Sequence, residues 1–491
     1  MKEFTKREKN NILVANIIIT LILILFFTKT CPLVPYDADD WIHLGQMRIP
    51  LPIWKGWNPA KVLPEVLMPM CGYIGAYVIY PFVGDYVLSI TIAAALILTF
   101  AIVMLCLCVM WFVRRRFDFS VNMSLAFEIL FLILCFAIFR NRGTSRYLFY
   151  ADNMNCVFNY TVPGIINAIS VLFMMSYANF KEAYKNFNTV EKSLFILLIY
   201  FSLFSNIFQS GTIAIYVGLM LFNELIRILR VKKFVLKEYI EQNKIYLSIL
   251  IAWICALVFE MSGGRASAVS NDNGLDFITP IRQMYAMVQA LADPFFLVFI
   301  VVVIWIIGSS IIKRNTEGYM YVTVFMNVGV LGVYLYLLSV IIPYFSRIEA
   351  SWNLWFYLII IVIIGVAELV FAFPQIKILF IPITFVVLVA AFYPDGRFQM
   401  STLGNTDYTT CVNTGNYVIS QIVEADYNGE KSITIEVAEY PDKNYVWAFN
   451  EIFGESVANT LYNHNIIKNK IEVVTEVVPE LTYEWRKHEQ Q

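Results

Sequence analysis

The chain has 491 residues, 59% of them hydrophobic and 15% charged, with a mean hydropathy of +0.65. Soluble domains run roughly 45–50% apolar and about 25% charged, so the composition is that of an integral membrane protein. A formal net charge of −1 leaves no global basic field and argues against nucleic acid as a partner.

The first apolar run, near 11–30, is too long for a signal-peptide core and has no small-residue cleavage site. It reads as a membrane span. Further spans of about 20 residues follow near 86–113, 119–139, 161–178, 192–208, 211–228, 245–261, 292–312, 319–343, 352–373 and 377–393, eleven in all. Lysine and arginine in alternate connections set the orientation. Lys2, Lys6, Arg7 and Lys9 lie on one side with Arg114–Arg116, Lys181, Lys185, Arg230, Lys232, Lys233, Lys237, Lys313 and Arg314. That side is expected to be cytoplasmic. The N-terminus is then inside, and the loop after span one and the C-terminus are outside. "VKKFVLKEYIEQNK" reads as a basic amphipathic segment on the anionic inner leaflet.

Residues 31–85 form a long early connection that opens with "PYDADDWIHL". Pro50, Pro52, Pro59, Pro64 and Pro69 argue against one long helix across it. Short interfacial helices are expected instead, with Trp41, Trp54 and Trp57 at headgroup level. Asp39 or Asp40 could N-cap the first of them. Capping explains one aspartate, not three. Beside an apolar wall and a second carboxylate, an acid tends to have a raised pKa, which suits a general base. Asp39 and Asp40 are the candidates. His43 shares a helical face with one or the other and could orient or relay. Asp37 could bind a sugar hydroxyl or a divalent ion. No metal-ligand set is read.

Cys31 and Cys71 bracket this acidic loop, which leaves a disulfide between them open. The eight cysteines include no C-x-x-C, hence no zinc or redox framework. On the less basic side, arginines recur against the positive-inside trend: Arg140, Arg142 and Arg146, then Arg265 and Arg282, then Arg347. Any one of them could be an interfacial arginine snorkelling to water. Guanidinium forks match phosphate oxygens and stay charged, so the set reads as an anion pocket.

After about residue 394 the composition turns polar. "SITIEV" and "KIEVVTEVV" alternate like strands, while "NYVISQIVEA" and "WAFNEIFGESVANTLYN" are helical in pattern. The chain thus divides into a transmembrane domain, 1–393, and a small α+β domain, 394–491. The fold class expected is an all-α polytopic membrane protein with that tail domain outside the membrane.

A short cytoplasmic N-terminus and a first span leading into "DADD" at 37–40 resemble the GT-C superfamily of membrane glycosyltransferases. Length, the proline-rich loop and the tail domain are similar to bacterial glucosyltransferases that modify O-antigen and other cell-surface polysaccharides. The tail departs from the pattern by its small size. The resemblance implies a hexose donor on a polyprenyl phosphate, a glycan acceptor, an inverting single displacement and an Asp base. It places the enzyme in the bacterial cell membrane, with membrane lipids, a flippase and a donor-synthesising glycosyltransferase as expected partners. The arginines would hold the donor phosphate, and Trp54 and Trp57 would stack on acceptor sugars. Two other readings stand beside it. A polysaccharide polymerase or ligase would carry its main external loop later. A lipid-linked sugar transporter or flippase would use charge inside the spans, with Glu128, Glu224, Glu260 and Glu368 as candidates.

Overall fold

A computed structural model describes residues 4–46, 61–141, 144–231, 235–262, 276–313, 318–342, 345, 347–376, 384, 398–401, 407–438, 452–478 and 481. The chain is mostly helical, and it is a multi-pass membrane protein: eight helices are long and apolar enough to cross a membrane. The count is nine if Thr279–Gln289 and Asp293–Ser309, bent by 97° at their junction, form one span.

In chain order the helices are α1 (Lys6–Thr30), α2 (Ala38–Gly45), α3 (Val62–Val83), α4 (Tyr86–Phe117) and α5 (Val121–Ala137). A two-residue hairpin pairs β1 (Arg140–Asn141) with β2 (Thr144–Ser145). Then come α6 (Met154–Met175), α7 (Phe180–Lys185), α8 (Thr189–Leu203), α9 (Ile207–Val231), α10 (Leu236–Gln242) and α11 (Lys244–Ser262). The bent pair follows as α12 (Thr279–Gln289) and α13 (Asp293–Lys313), then α14 (Gly318–Ile341) and α15 (Trp352–Ala372). The tail carries α16 (Tyr408–Asn428), β3 (Ser432–Ala438), α17 (Phe453–Asn463) and β4 (Glu472–Val478).

Burial sorts the helices into centre and rim. In α6, 83% of the apolar stretch is buried, against 22% in α1, whose Leu13, Ile17, Leu21 and Leu25 face outward. A helix apolar on every side belongs in the middle. α15 fits this, since Ile359 through Ile364 are all buried.

Contacts define two ends of the bundle. At one, the N–H of Ala292 donates to the carbonyl of Ile138 (2.8 Å), and the rings of Trp41 and Tyr86 stack 6.3 Å apart. This is the acid end. At the other, Arg114 lies 4.0 Å from Glu8, Arg115 sits over the Tyr177 ring, and Lys181 bonds Asn243. This is the lysine end.

The connection 31–85 departs from expectation. Prolines do not confine it to short helices, because α3 runs through Pro64, Pro69 and Pro81 with a π turn at Gly75–Ile79. Pro64 falls in the first turn, where backbone N–H groups have no helical partner, and Pro81 opens the segment after the π turn. Pro69 alone of the three lies mid-helix. Although α3 is apolar enough to span, it stays at the acid end. The N–H of Leu63 donates to Phe204 O, at the end of α8 (2.9 Å), and Gly72 abuts Leu44 and His464. A Cβ on Gly72 would come within 2.5 Å of the Leu44 carbonyl. Trp41, expected at headgroup level, is fully buried within the protein. Cys31 and Cys71 are unbridged thiols, facing the carbonyls of Phe398 and Ile90.

In the tail, β3 and β4 pair in parallel, joined by a crossover that contains α17. The strands fall on "SITIEV" and "EVVTEVV". Helix α17 packs directly on α2, which brings the tail to the acid end. The eleventh expected span, 377–393, lies outside the described residues save for position 384.

Candidate functional site

Helix α2 has only two turns, too few to be stable alone, so both ends need outside partners. Its N-cap is Asp37, not Asp39 or Asp40. The Asp37 Oδ1 accepts the N–H of Asp40 (2.8 Å), and Asp40 Oδ2 accepts the N–H groups of Tyr36 (2.9 Å) and Asp37 (3.4 Å). This is a capping box built from two acids.

A second helix start locks into the first. Asn153 N-caps α6 by accepting the N–H of Cys156 (2.7 Å), and its Nδ2 donates to Asp37 Oδ2 (2.5 Å). The N–H of Asn155, an orphan donor in the first turn of α6, donates to Asp40 Oδ1 (2.6 Å). The positive end of the α6 dipole therefore faces Asp40.

Asp37 and Asp40 are fully buried. Burial pushes both carboxyls above the usual carboxylate range, Asp37 to about 7. Mutual repulsion among the acids adds to the rise, and the N–H donors oppose it. Asp37, expected to meet an acceptor, is thus consumed as a cap. Asp40, expected as a base, has both oxygens occupied by backbone N–H groups.

Asp39 differs. It is half-buried and lies on the face of α2 that carries Ile42, His43 and Gln46, at the i, i+3, i+4 and i+7 spacing. Alongside that face is a cavity of about 250 Å³ between α2 and α17, lined by Ile42, Gln46, Glu455, Ser456, Asn459 and Asn463 among others. Its lining carries the amides of Gln46, Asn459 and Asn463 and the carboxylate of Glu455, which suits hydroxyl-bearing ligands.

The C-terminal end of α2 is closed by the tail. Its last carbonyls are orphans that no residue of α2 can meet. The Thr460 hydroxyl donates to Trp41 O (2.5 Å), and Asn463 Nδ2 donates to Gly45 O (2.9 Å). His464 Nε2 donates to Leu44 O (3.2 Å), while its Nδ1 accepts from the Tyr86 hydroxyl (2.5 Å). This tautomer is the one that satisfies both contacts. Burial holds the imidazole neutral, lowering its pKa to about 4.

Behind the acids runs a guanidinium network. Arg347 lies 3.2 Å from Asp152 and 2.6 Å from Glu349, donates to Cys156 Sγ (2.9 Å) and faces the Tyr160 ring. Glu349 is buried, and that burial raises its pKa against the pull of Arg347. Asp152 also accepts the Tyr150 hydroxyl (3.3 Å). Gln399 bridges Tyr150 (3.3 Å) to Arg146 Nε (3.0 Å), and Arg146 lies over the Tyr150 ring. Arg347 and Arg146 are therefore joined in one network. Arg140 is buried over the Phe398 ring. Arg282 is exposed on α12 beside Asp276. Arg142, Arg265, Trp54 and Trp57 lie outside the described residues. Among the described residues no group of three His, Cys, Asp or Glu side chains could hold a metal ion.

Sequence reasoning missed the partners: Asp152, Asn153, Asn155, Glu349, Thr460, Asn463 and His464. One signal was present. "YADNMNC" sets three Asx residues just before an apolar run, the pattern of a helix cap, and α6 begins there at Met154 rather than at 161. Comparison of the chain with protein-family models, with curated proteins and with solved structures finds no match.

Proposed function

We propose that the chain transfers a hexose from a polyprenyl-phosphate donor to a glycan acceptor at the outer face of a bacterial cell membrane, with Asp39 as general base. The observation that carries this reading is the division of labour on α2. Two acids are locked into the helix start. The third, Asp39, shares a half-buried helical face with His43 and with Ile42 and Gln46, and these last two line a cavity. Asp39 takes the proton from an acceptor hydroxyl as that oxygen attacks the anomeric carbon. The carbon–oxygen bond to the phosphate breaks, and the donor leaves as polyprenyl phosphate with inversion. Gln46, Asn459 and Asn463 bind acceptor hydroxyls. Arg347, with Arg146 nearby, stabilises charge growing on the leaving phosphate. Arg347 is shared by two carboxylates, so phosphate binding exchanges one of these for the ligand. His43 orients Asp39.

The topology proposed with this reaction is GT-C-like, with eleven crossings, a cytoplasmic N-terminus and the tail outside. Contacts at the two bundle ends support an alternating path in which α5 (17 residues) and α8 (15 residues) also cross, short as they are. In this topology α3 lies along the outer boundary, and 377–393 returns the chain to the tail.

The test is transfer in proteoliposomes with a radiolabelled polyprenyl-phosphate hexose and a lipid-linked oligosaccharide acceptor. Loss of a positioned base lowers rates about 10²- to 10⁴-fold, so Asp39→Asn should show that loss while melting like wild type. Wild-type turnover by Asp39→Asn would remove Asp39 as base. Movement of intact lipid-linked sugar between leaflets, without cleavage, would place the protein among flippases.

A further inference from the structure

At the lysine end, residues of α8 and α11 line a groove of about 490 Å³. Its walls are apolar, formed by Phe195 and Ile199 from α8 and by Ile249 and Ala252 from α11. Ile196 also lines it and is 60% exposed, so the groove opens on the flank of the bundle. Around that opening Leu194, Leu197, Ile251 and Ile254 are exposed too, a surface for hydrocarbon rather than water.

The mouth has the opposite character. Lys181, Lys185 and Lys244 line it, against Glu241 as the acid of the lining. Lys181 is fixed there, donating to Asn243 Oδ1 (3.0 Å) with Glu224 at 3.8 Å. Lys185 pairs with Glu182 (2.8 Å), but both side chains are well exposed, and such a pair is weak and readily exchanged. Lys192 stands above the neighbouring Tyr184 ring.

An apolar slot between helices, capped by lysines at a helix end, matches a ligand with two parts. A soluble anion would leave the slot empty. A zwitterionic or neutral lipid would bring no net charge to the lysines. We propose that this groove binds one anionic phospholipid from the leaflet at the lysine end, with its phosphate between Lys181 and Lys244 and an acyl chain against Ile199 and Ile249. The site lies at the far end of the bundle from the acid helix and does not depend on the reaction proposed there.

The experiment uses the full chain in phosphatidylcholine nanodiscs titrated with phosphatidylglycerol, read by native mass spectrometry after release and by melting temperature. One phosphatidylglycerol should be retained and should raise the melting temperature, whereas extra phosphatidylcholine should do neither. Each lysine near an anionic headgroup contributes on the order of a fivefold change in affinity. Lys181→Gln with Lys244→Gln should therefore weaken retention at least about tenfold. Ser248→Trp, which fills the groove and keeps the lysines, should weaken it similarly. Equal retention of both lipids would overturn the proposal, as would unchanged retention in either variant. So would equal stabilisation by inorganic phosphate, or preferential uptake of polyprenyl phosphate. If a variant fails to fold, photoreactive phosphatidylglycerol on the wild-type protein decides. Cross-links should fall within 195–199 and 245–252, and cross-links confined elsewhere would refute the site.

Discussion

The two ends of helix α2 satisfy the same need by opposite means. At its N-terminus the donors are backbone N–H groups and the acceptors are acids, Asp37 and Asp40, next to the start of α6. At its C-terminus the acceptors are backbone carbonyls and the donors are neutral side chains of the tail, Thr460, Asn463 and His464. One end buries groups that gain charge as pH rises. The other buries a group that gains charge as pH falls. The three acids of "DADD" are therefore not equivalent, and a short helix between such ends holds Asp39 in a set place.

The largest effect expected is the one that separates Asp39 from its neighbours. Asp39→Asn should lose about 10²- to 10⁴-fold in transfer, or about 3–5 kcal/mol of barrier, with little change in melting. Asp37→Asn should still cap the helix, since Asn caps as well as Asp, and should retain most of the turnover. Equal loss in both would dissolve the distinction between framework and base.

Next comes the frame behind the acid end. Arg347→Ala leaves Glu349 buried without its partner and should destabilise by about 3 kcal/mol, read as a fall in melting temperature. Arg347→Lys should restore part of the stability but less of the transfer rate, because the planar fork is lost. An Arg347→Ala protein that melts like wild type would show that Glu349 does not need the guanidinium.

The pH dependence tests the comparison most directly. His464 binds its proton less readily folded than unfolded, so its contribution is complete above about pH 6.5 and is lost as pH falls toward 4. Lowering the imidazole pKa from 6.5 to about 4 corresponds to at most about 3–4 kcal/mol. Asp37 has the reverse sign. Its folded carboxyl holds the proton up to about pH 7, so stability falls as pH rises from about 4 to 7. In the wild type the two slopes oppose each other. Asp40 is raised in the same direction and adds to the Asp37 slope, so Asp37→Asn should tilt the melting curve from pH 4 to 6.5 toward the His464 slope relative to wild type, without abolishing the acid contribution. His464→Gln should expose the Asp37 slope, falling over the same range. The groups that face His464 are Tyr86, the Leu44 carbonyl and the Tyr73 ring, none of them charged at these pH values. Parallel pH curves in the two variants would show that the ends do not titrate as described.

The smallest effects belong to single donors at the C-terminal end. Thr460→Val and Asn463→Ala should each cost about 1 kcal/mol of stability. Transfer should fall more for Asn463, which also lines the cavity between α2 and α17.

Long apolar helices were legible because hydropathy and length suffice to mark them. The strands of the tail were legible by alternation. Helix α6 was legible only in part, since its first turns carry Asn155 and Asn159, which hydropathy reads as loop. Helix α3 was missed because proline counts against a helix wherever it stands, although two of its three prolines occupy positions that tolerate them. The acids were legible as a cluster but not by role. What separates Asp39 from Asp37 and Asp40 is set by Asn153 and Asn155, more than a hundred residues away. No local pattern encodes that separation.

The grip of α17 on α2 also sets an order of events. Thr460, Asn463 and His464 stand about 420 positions after the carbonyls they meet. During synthesis the acid helix emerges before the residues that close its far end, which follow about 420 positions later. A protein cut short before residue 460 could complete its apolar helices and still lack a finished acid helix. The C-terminal end of the acid helix is therefore finished only when α17 has reached the same end of the bundle.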